Sequence, residues 1–163
     1  MKVGFYSGSF DPFTNGHLHV VQSACQIFDK VIVGIGINVN KKRNYDIEKM
    51  KIAIEKTLEE NQLFNTQVIT YEQLTVEIAE QYHTQFLIRG LRNDTDYAYE
   101  ENLAQINEDI SGLDTIYFRS GVLGFISSSM VMELITYHKD VSRYLPTPIL
   151  QLIQEDNAVS KNT

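Results

Sequence analysis

Ser7-Gly8-Ser9-Phe10-Asp11-Pro12-Phe13-Thr14-Asn15-Gly16-His17 lies where a short apolar run stops and a helical pattern begins. Val3, Phe5 and Tyr6 form a brief strand-like run. Turn formers follow (Gly8, Asp11, Pro12, Asn15, Gly16), then Leu18, Val21, Cys25 and Phe28 at helical spacing. The stretch therefore reads as a β-loop-α junction. In an open parallel sheet, ligands bind beyond the carboxyl ends of the strands. A glycine-containing loop that enters a helix there offers unpaired N–H groups and a positive dipole end to an anion. His17 falls in the first turn of that helix, facing the same anion.

Outward from this junction the pattern repeats. Val31-Ile32-Val33-Gly34-Ile35 is a continuous apolar run, as expected of a strand buried on both faces. Asp46 caps a helix carrying Met50, Ile54 and Leu58; Val68 and Ile69 mark a strand, Val76 to Ala79 a short helix, and Phe86-Leu87-Ile88 a strand. Tyr99, Leu103, Ile106 and Ile110 define a long helix, Thr115 to Phe118 a strand, and Val131, Leu134 and Ile135 a helix. Five strands alternating with helices predict an α/β protein: a Rossmann-like, doubly wound, five-stranded parallel sheet with helices on both faces. Pro146 and Pro148 precede a short helix, Ile149 to Ile153, and the polar tail 155–163 is expected to fray.

Composition narrows the function classes. A chain of 163 residues, 43% hydrophobic and 21% charged, fits one globular domain without staples. A net charge of -7 argues against a nucleic-acid or polyanion binder, so a phosphate-bearing ligand is expected to be small and locally held. Cys25 is the single cysteine and excludes a disulfide framework and a cysteine-zinc site. No apolar run approaches a membrane span, and Met1-Lys2 leads straight into a strand, so no membrane role and a cytoplasmic location are expected.

Several motifs fail on inspection. Gly34-Ile35-Gly36 lacks the third glycine of a dinucleotide fingerprint, since Val39 stands there, and no Gly-Lys-Ser/Thr phosphate loop is present. His17 and His19 point roughly 200° apart on a helix, against a two-histidine metal site. His19, His83 and His138 are expected on surfaces or in structural hydrogen bonds.

Three constellations survive. The first is the opening loop itself. The second joins Lys41-Lys42-Arg43, after the second strand, with Arg89-Gly90-Leu91-Arg92, at the end of the fourth; both lie on the ligand edge of the sheet. Two arginines flanking a glycine suit phosphate, because the guanidinium fork matches phosphate oxygens and glycine lets backbone N–H groups approach. The third is Phe125-Ile126-Ser127-Ser128-Ser129 before a helix, where serines act as caps and also offer hydroxyls and N–H groups to polyphosphate.

Gly-Ser-Phe-Asp-Pro followed by Thr14-Asn15-Gly16-His17, Ile88-Arg89-Gly90-Leu91-Arg92 with Tyr99-Glu100, and Ile126-Ser127-Ser128-Ser129 together resemble the phosphopantetheine adenylyltransferases, within the nucleotidyltransferase superfamily. The likeness covers residues 3 to 145. It departs at Asn38-Val39-Asn40 and Arg43-Asn44, where the family commonly reads Pro-Ser-Lys-Lys-Pro, and at Leu123, where an aromatic often stands. The resemblance implies one nucleotidyltransferase domain over residues 1–163 that transfers the adenylyl group of ATP to 4′-phosphopantetheine, giving dephospho-coenzyme A and pyrophosphate. It implies catalysis by His17 as donor to an α-phosphate oxygen. ATP would be held by Ser9, Phe10, His17, Gly90, Leu91, Arg92, Glu100, Leu123, Gly124, Phe125, Ile126, Ser127, Ser128 and Ser129. The acceptor would be held by Ser9, Lys41, Thr75 and Arg89. Mg²⁺ would accompany ATP on phosphates and water, with no protein metal cage, and the assembly would be a homohexamer. Asp11 would accept N–H bonds within its own turn. Two other readings stand beside this one: a nicotinate mononucleotide adenylyltransferase, disfavoured by Thr14 and the Arg89 block, and a non-catalytic nucleotide-binding module, which would need no histidine in the first helical turn.

Overall fold

A computed structural model describes residues 1–161, except the side chains of residues 94, 95, 160 and 161. Its five strands are β1 (Val3–Gly8), β2 (Lys30–Gly36), β3 (Thr66–Tyr71), β4 (Phe86–Leu91) and β5 (Asp114–Arg119). They form one parallel sheet in the order β3-β2-β1-β4-β5. The chain winds from β1 outward to β3, then crosses to the other side of β1 to lay down β4 and β5. The β1/β4 boundary is therefore the switch point, where two crossovers leave in opposite directions and open a crevice.

Alternation along the strands divides the interior into two cores. Tyr6, Val31, Val33, Ile35 and Ile88 point to one face. There they meet α1 (Asn15–Cys25), α2 (Ile47–Glu60), α5 (Ser128–Thr136) and α6 (Thr147–Lys161) through Val20, Val21, Met50, Ile54, Val131, Ile149 and Ile153. Val3, Phe5, Ile32, Ile69 and Leu87 point to the other face, against Val76, Ile78 and Ala79 of α3 (Thr75–Gln81). The expected helices on both faces follow from this period of two. Gly34, half of the failed fingerprint, serves packing: a Cβ there would lie 2.5 Å from Cζ of Phe5.

Two expectations are revised, and one helix shows an orientation that the sequence does not specify. The helix α4 (Asp94–Ser111) forms where its spacing predicts, after an Asn93 cap that accepts from the Asp96 N–H at 3.0 Å. However, Tyr99, Ile106 and Ile110 are 67%, 56% and 57% exposed, so most of its apolar stripe faces away from the sheet. The final helix is also longer than Ile149 to Ile153 and continues through the polar stretch to Lys161. Pro148 sits in its first turn, where a missing N–H costs nothing, and no glycine or proline follows to stop it. Finally, Asp11 reaches across to another loop, as described below. Among the described residues no helix is long and apolar enough to cross a membrane.

Candidate active site

The crevice beyond β1 and β4 is a cleft of about 280 Å³. The loop from β1 into α1 forms one wall. Its shape is imposed from outside: Asp11 accepts from the backbone N–H groups of Asn44 (2.6 Å) and Tyr45 (3.0 Å). Arg43 donates to the carbonyls of Ser9 (2.7 Å) and Tyr45 (3.1 Å), and lies 3.5 Å from Asp11. The basic run after β2 is therefore divided. Arg43 braces the loop, while Lys41 and Lys42 stay exposed and line an adjoining depression shared with Ser9, Ser128 and Ser129.

His17 is held by a capping box at the start of α1. Thr14 Oγ1 accepts from the His17 N–H at 3.3 Å, and the Thr14 N–H donates to His17 Nδ1 at 3.0 Å. A ring nitrogen that accepts carries no proton, so the neutral ring has its proton on Nε2 and presents it as a donor. Burial, with the charges of Arg89 and Arg92 beside it, pushes the His17 pKa down to about 3, so the ring is neutral at physiological pH. Phe10 packs edge-on against the imidazole at 5.0 Å, and Phe13 is 5.5 Å away.

The sheet edge splits the cleft between its two faces. On the α1 face lie His17, Tyr6, Gly90 and the serines at the start of α5. Gly90 leaves room there, since a Cβ would press within 2.9 Å of Val20. Ser127 caps α5 by accepting from the Met130 N–H at 3.1 Å. Ser128 donates to the Pro12 carbonyl at 2.7 Å, tying the third constellation to the first.

On the opposite face lies Arg89. Its Nε and Nη2 donate to the two Glu100 oxygens, both at 2.7 Å, and its Nη1 donates to the Ser7 carbonyl at 2.6 Å and hydroxyl at 3.2 Å. One Nη2–H remains for a ligand. Glu100 is thus fully engaged with Arg89. Thr75 does not line the main cleft; it hydrogen-bonds the Tyr71 hydroxyl at 2.9 Å and lines a neighbouring pocket of about 90 Å³ with Leu74, Leu103 and Asn107. Ser7, Arg89 and Glu100 line both spaces.

Arg92 is paired with Asp96 (Nε to Oδ2 2.8 Å, Nη2 to Oδ1 3.0 Å) at the exposed mouth of the cleft. Ser9, Phe10, Ile126 and Ser129 also line it, whereas Leu91, Leu123, Gly124 and Phe125 do not. Phe125 is half exposed and packs edge-on to Tyr144 at 6.0 Å. Gly124 lies under Arg92, with its Cβ position 3.6 Å from the Arg92 carbonyl.

Tyr6, Ser7 and Ser120 also line the cleft, and no sequence motif assigns them a role there. In the sequence Tyr6 is an apolar strand position, and its closeness to the carboxyl end of β1 is the signal that marks it as a cleft residue. Cys25, half-buried on α1, has its thiol pushed up to about 11 by burial and is inert. Among the described residues no group of three or more histidines, cysteines or carboxylates is placed to hold a metal ion. The cleft carboxylates Asp96 and Glu100 each face an arginine.

A doubly wound parallel sheet whose switch-point cleft is lined by a histidine, two arginines and three serines suits an enzyme of the nucleotide-handling class, and its relatives make it a nucleotidyltransferase. The cytidylyltransferase-like family model matches residues 5–134. The chain is 41% identical over 147 residues to a phosphopantetheine adenylyltransferase of Bacteroides thetaiotaomicron, covering 90% of this chain and 96% of that one. It is 39% identical over 158 residues to that of Streptococcus pneumoniae, covering 95% and 96%. The chain belongs to the phosphopantetheine adenylyltransferase branch of the cytidylyltransferase-like family. A solved structure of a Vibrio parahaemolyticus protein assigned as a nicotinate-nucleotide adenylyltransferase superposes with a TM-score of 0.69 at 19% identity, covering 95% of this chain and 93% of that one; this likeness concerns the fold.

Proposed function

We propose that this protein transfers the adenylyl group of ATP to 4′-phosphopantetheine. An oxygen of the acceptor phosphate attacks the α-phosphorus, the bond between the α-phosphorus and the bridging oxygen breaks, and pyrophosphate leaves with that electron pair. The observation that carries the reading is the tautomer of His17: Thr14 occupies Nδ1, leaving Nε2–H as a donor facing the cleft. A phosphate is already anionic and needs no base, so a fixed neutral donor suits the reaction. It stabilises charge as it builds on the α-phosphate oxygens.

The two faces of the cleft suit two substrates. ATP lies on the α1 face, with Ser9, the Phe10 N–H, Gly90 and Arg92 near its phosphates and Ser127, Ser128 and Ser129 receiving the pyrophosphate. Leu91, Leu123, Gly124, Phe125 and Ile126 act from around that site, the segment 123–126 by shaping the wall toward the adenine, whereas Glu100 acts on the other side of the cleft by orienting Arg89. The acceptor phosphate meets Arg89, with Lys41 approaching from the neighbouring depression. Its slender arm enters the narrow pocket beside Thr75, whose leucine walls and Asn107 suit a chain of methylenes and amides. Magnesium enters as MgATP. The outward apolar stripe of α4 supports association of copies, in this proposal as a homohexamer, and the reaction is proposed to run in the cytoplasm.

Pyrophosphate release measured with ATP and a panel of phosphorylated acceptors tests the reading. 4′-Phosphopantetheine should turn over well and nicotinate mononucleotide little; preference for the pyridine nucleotide would overturn the acceptor assignment.

A further inference from the structure

Tyr6 ends the apolar part of β1, and its ring is 4% exposed, packed within the α1-side core. Its hydroxyl makes no hydrogen bond to any described residue. The one described side-chain polar atom that is sealed from the surface without a partner is Thr84 Oγ1, so the Tyr6 hydroxyl is not sealed in. It opens into the cleft that Tyr6 lines. A phenol whose ring is held this rigidly, and whose hydroxyl is tied to no other part of the protein, leaves that hydroxyl free to meet a ligand in the cleft.

Its position favours one substrate. Strand alternation puts Tyr6 on the α1 face, whereas Ser7, the next residue, holds Arg89 on the other. The vacant Cβ position of Gly90 is 3.9 Å from the Tyr6 hydroxyl, so no side chain stands between that oxygen and the end of β4. Tyr6 and His17 both pack edge-on against Phe10, at 5.2 and 5.0 Å, and so share one rigid support. Burial raises the Tyr6 pKa above the ordinary tyrosine value, which keeps the hydroxyl protonated and a donor.

We propose that Tyr6 is a nucleotide-binding residue whose hydroxyl donates a hydrogen bond to an oxygen of bound ATP beside His17. The inference rests on the adenylyl-transfer reading and adds a contact that the sequence motifs do not contain. Tyr6 shares in holding ATP, while His17 acts on the α-phosphate in the transition state.

The test is Tyr6→Phe in the full chain, which removes one oxygen and keeps the ring in the core. ATP affinity by calorimetry, KM for ATP and for acceptor, and the ligand-free melting temperature are compared with wild type. The variant should bind ATP about 10- to 100-fold more weakly, as for loss of a hydrogen bond to a charged group. Its acceptor KM and its melting temperature should be unchanged, because the ring stays in the core and the hydroxyl holds no other part of the protein. Equal ATP affinity in the two proteins overturns the inference and leaves the proposed function standing. Weaker binding with a matching fall in melting temperature also overturns it, by showing a packing role. A wild-type protein that releases no pyrophosphate overturns the function, and the Tyr6 contact with it.

Discussion

His17 owes its chemistry to Thr14 more than to its own sequence position. With Nδ1 occupied and the pKa pushed down to about 3, it does not serve as a proton acceptor near neutrality. Two expectations follow. His17→Ala should lower kcat by about 10²–10³-fold, on the scale of one lost oxyanion donor, with a much smaller effect on ATP affinity. Kinetics and melting temperature on one preparation check this, and a folded, ATP-binding variant with normal kcat would contradict it. The second concerns pH. An unfolded chain protonates His17 below its ordinary value of 6.5, whereas the folded chain does not until about 3. The unfolded state therefore holds more protons in that window, and stability is full above 6.5 and falls with pH, by up to about 1.4 kcal/mol per unit. Unfolding titrations at pH 7 and 5 should show wild type losing more stability than His17→Gln.

In the Arg89-Gly90-Leu91-Arg92 block, Arg89 is tied to Glu100 within the cleft and Arg92 to Asp96 at its mouth, and their mutants should differ. Arg89→Lys should mainly raise the acceptor KM and Arg92→Ala the ATP KM, each by roughly 1.5–3 kcal/mol if a charged hydrogen bond is lost. A shared pattern would dissolve the two-face division. At this scale the sequence disclosed residue types but few partners. Thr14 and His17 were readable because three-residue spacing at a helix start is local. The pairing of Arg89 with Glu100, and the diversion of Arg43 to the carbonyls of the opening loop, join segments far apart in the chain, which periodicity does not encode.

Among the elements, strand and helix identity was legible, because apolar periods of two and of three to four separate cleanly along this chain. Which side of a helix is covered was not. The stripe of α4 satisfies the helical period whether it faces the sheet or solvent, and only the packing of Leu103 and Glu100 inward shows that the other apolar positions turn out. The reach of α6 escaped for a related reason: a polar helix held at one end by Ile149 and Ile153 has no apolar period to announce the rest. The opening loop makes its own prediction. Asp11→Ala removes the acceptor of two backbone N–H groups and the partner of Arg43, and should cost about 1–3 kcal/mol of stability. It should also lower kcat through Ser9 and Phe10, as thermal unfolding and turnover of that variant would show; unchanged turnover would make the brace irrelevant to catalysis.

Over the whole molecule, the winding order supplies the arrangement that the reaction needs. Because β4 lies on the far side of β1 from β2, the ends of β1 and β4 flank one crevice, and residues from opposite faces of the sheet meet at its rim. Two anions can then approach from two sides and be held in line, which supplies much of the catalysis when the nucleophile needs no activation. The exposed face of α4 belongs to this scale as well. Ile106→Glu should disperse an assembly of copies, measured by sedimentation, and a protein of unchanged mass would contradict the role proposed for that face.

The most direct measurement is pyrophosphate release by the intact protein with MgATP alone, with 4′-phosphopantetheine added, and with nicotinate mononucleotide added. Release that depends on 4′-phosphopantetheine and yields dephospho-coenzyme A in equal amount is the predicted result; ATP retained without pyrophosphate release for any acceptor would contradict the account.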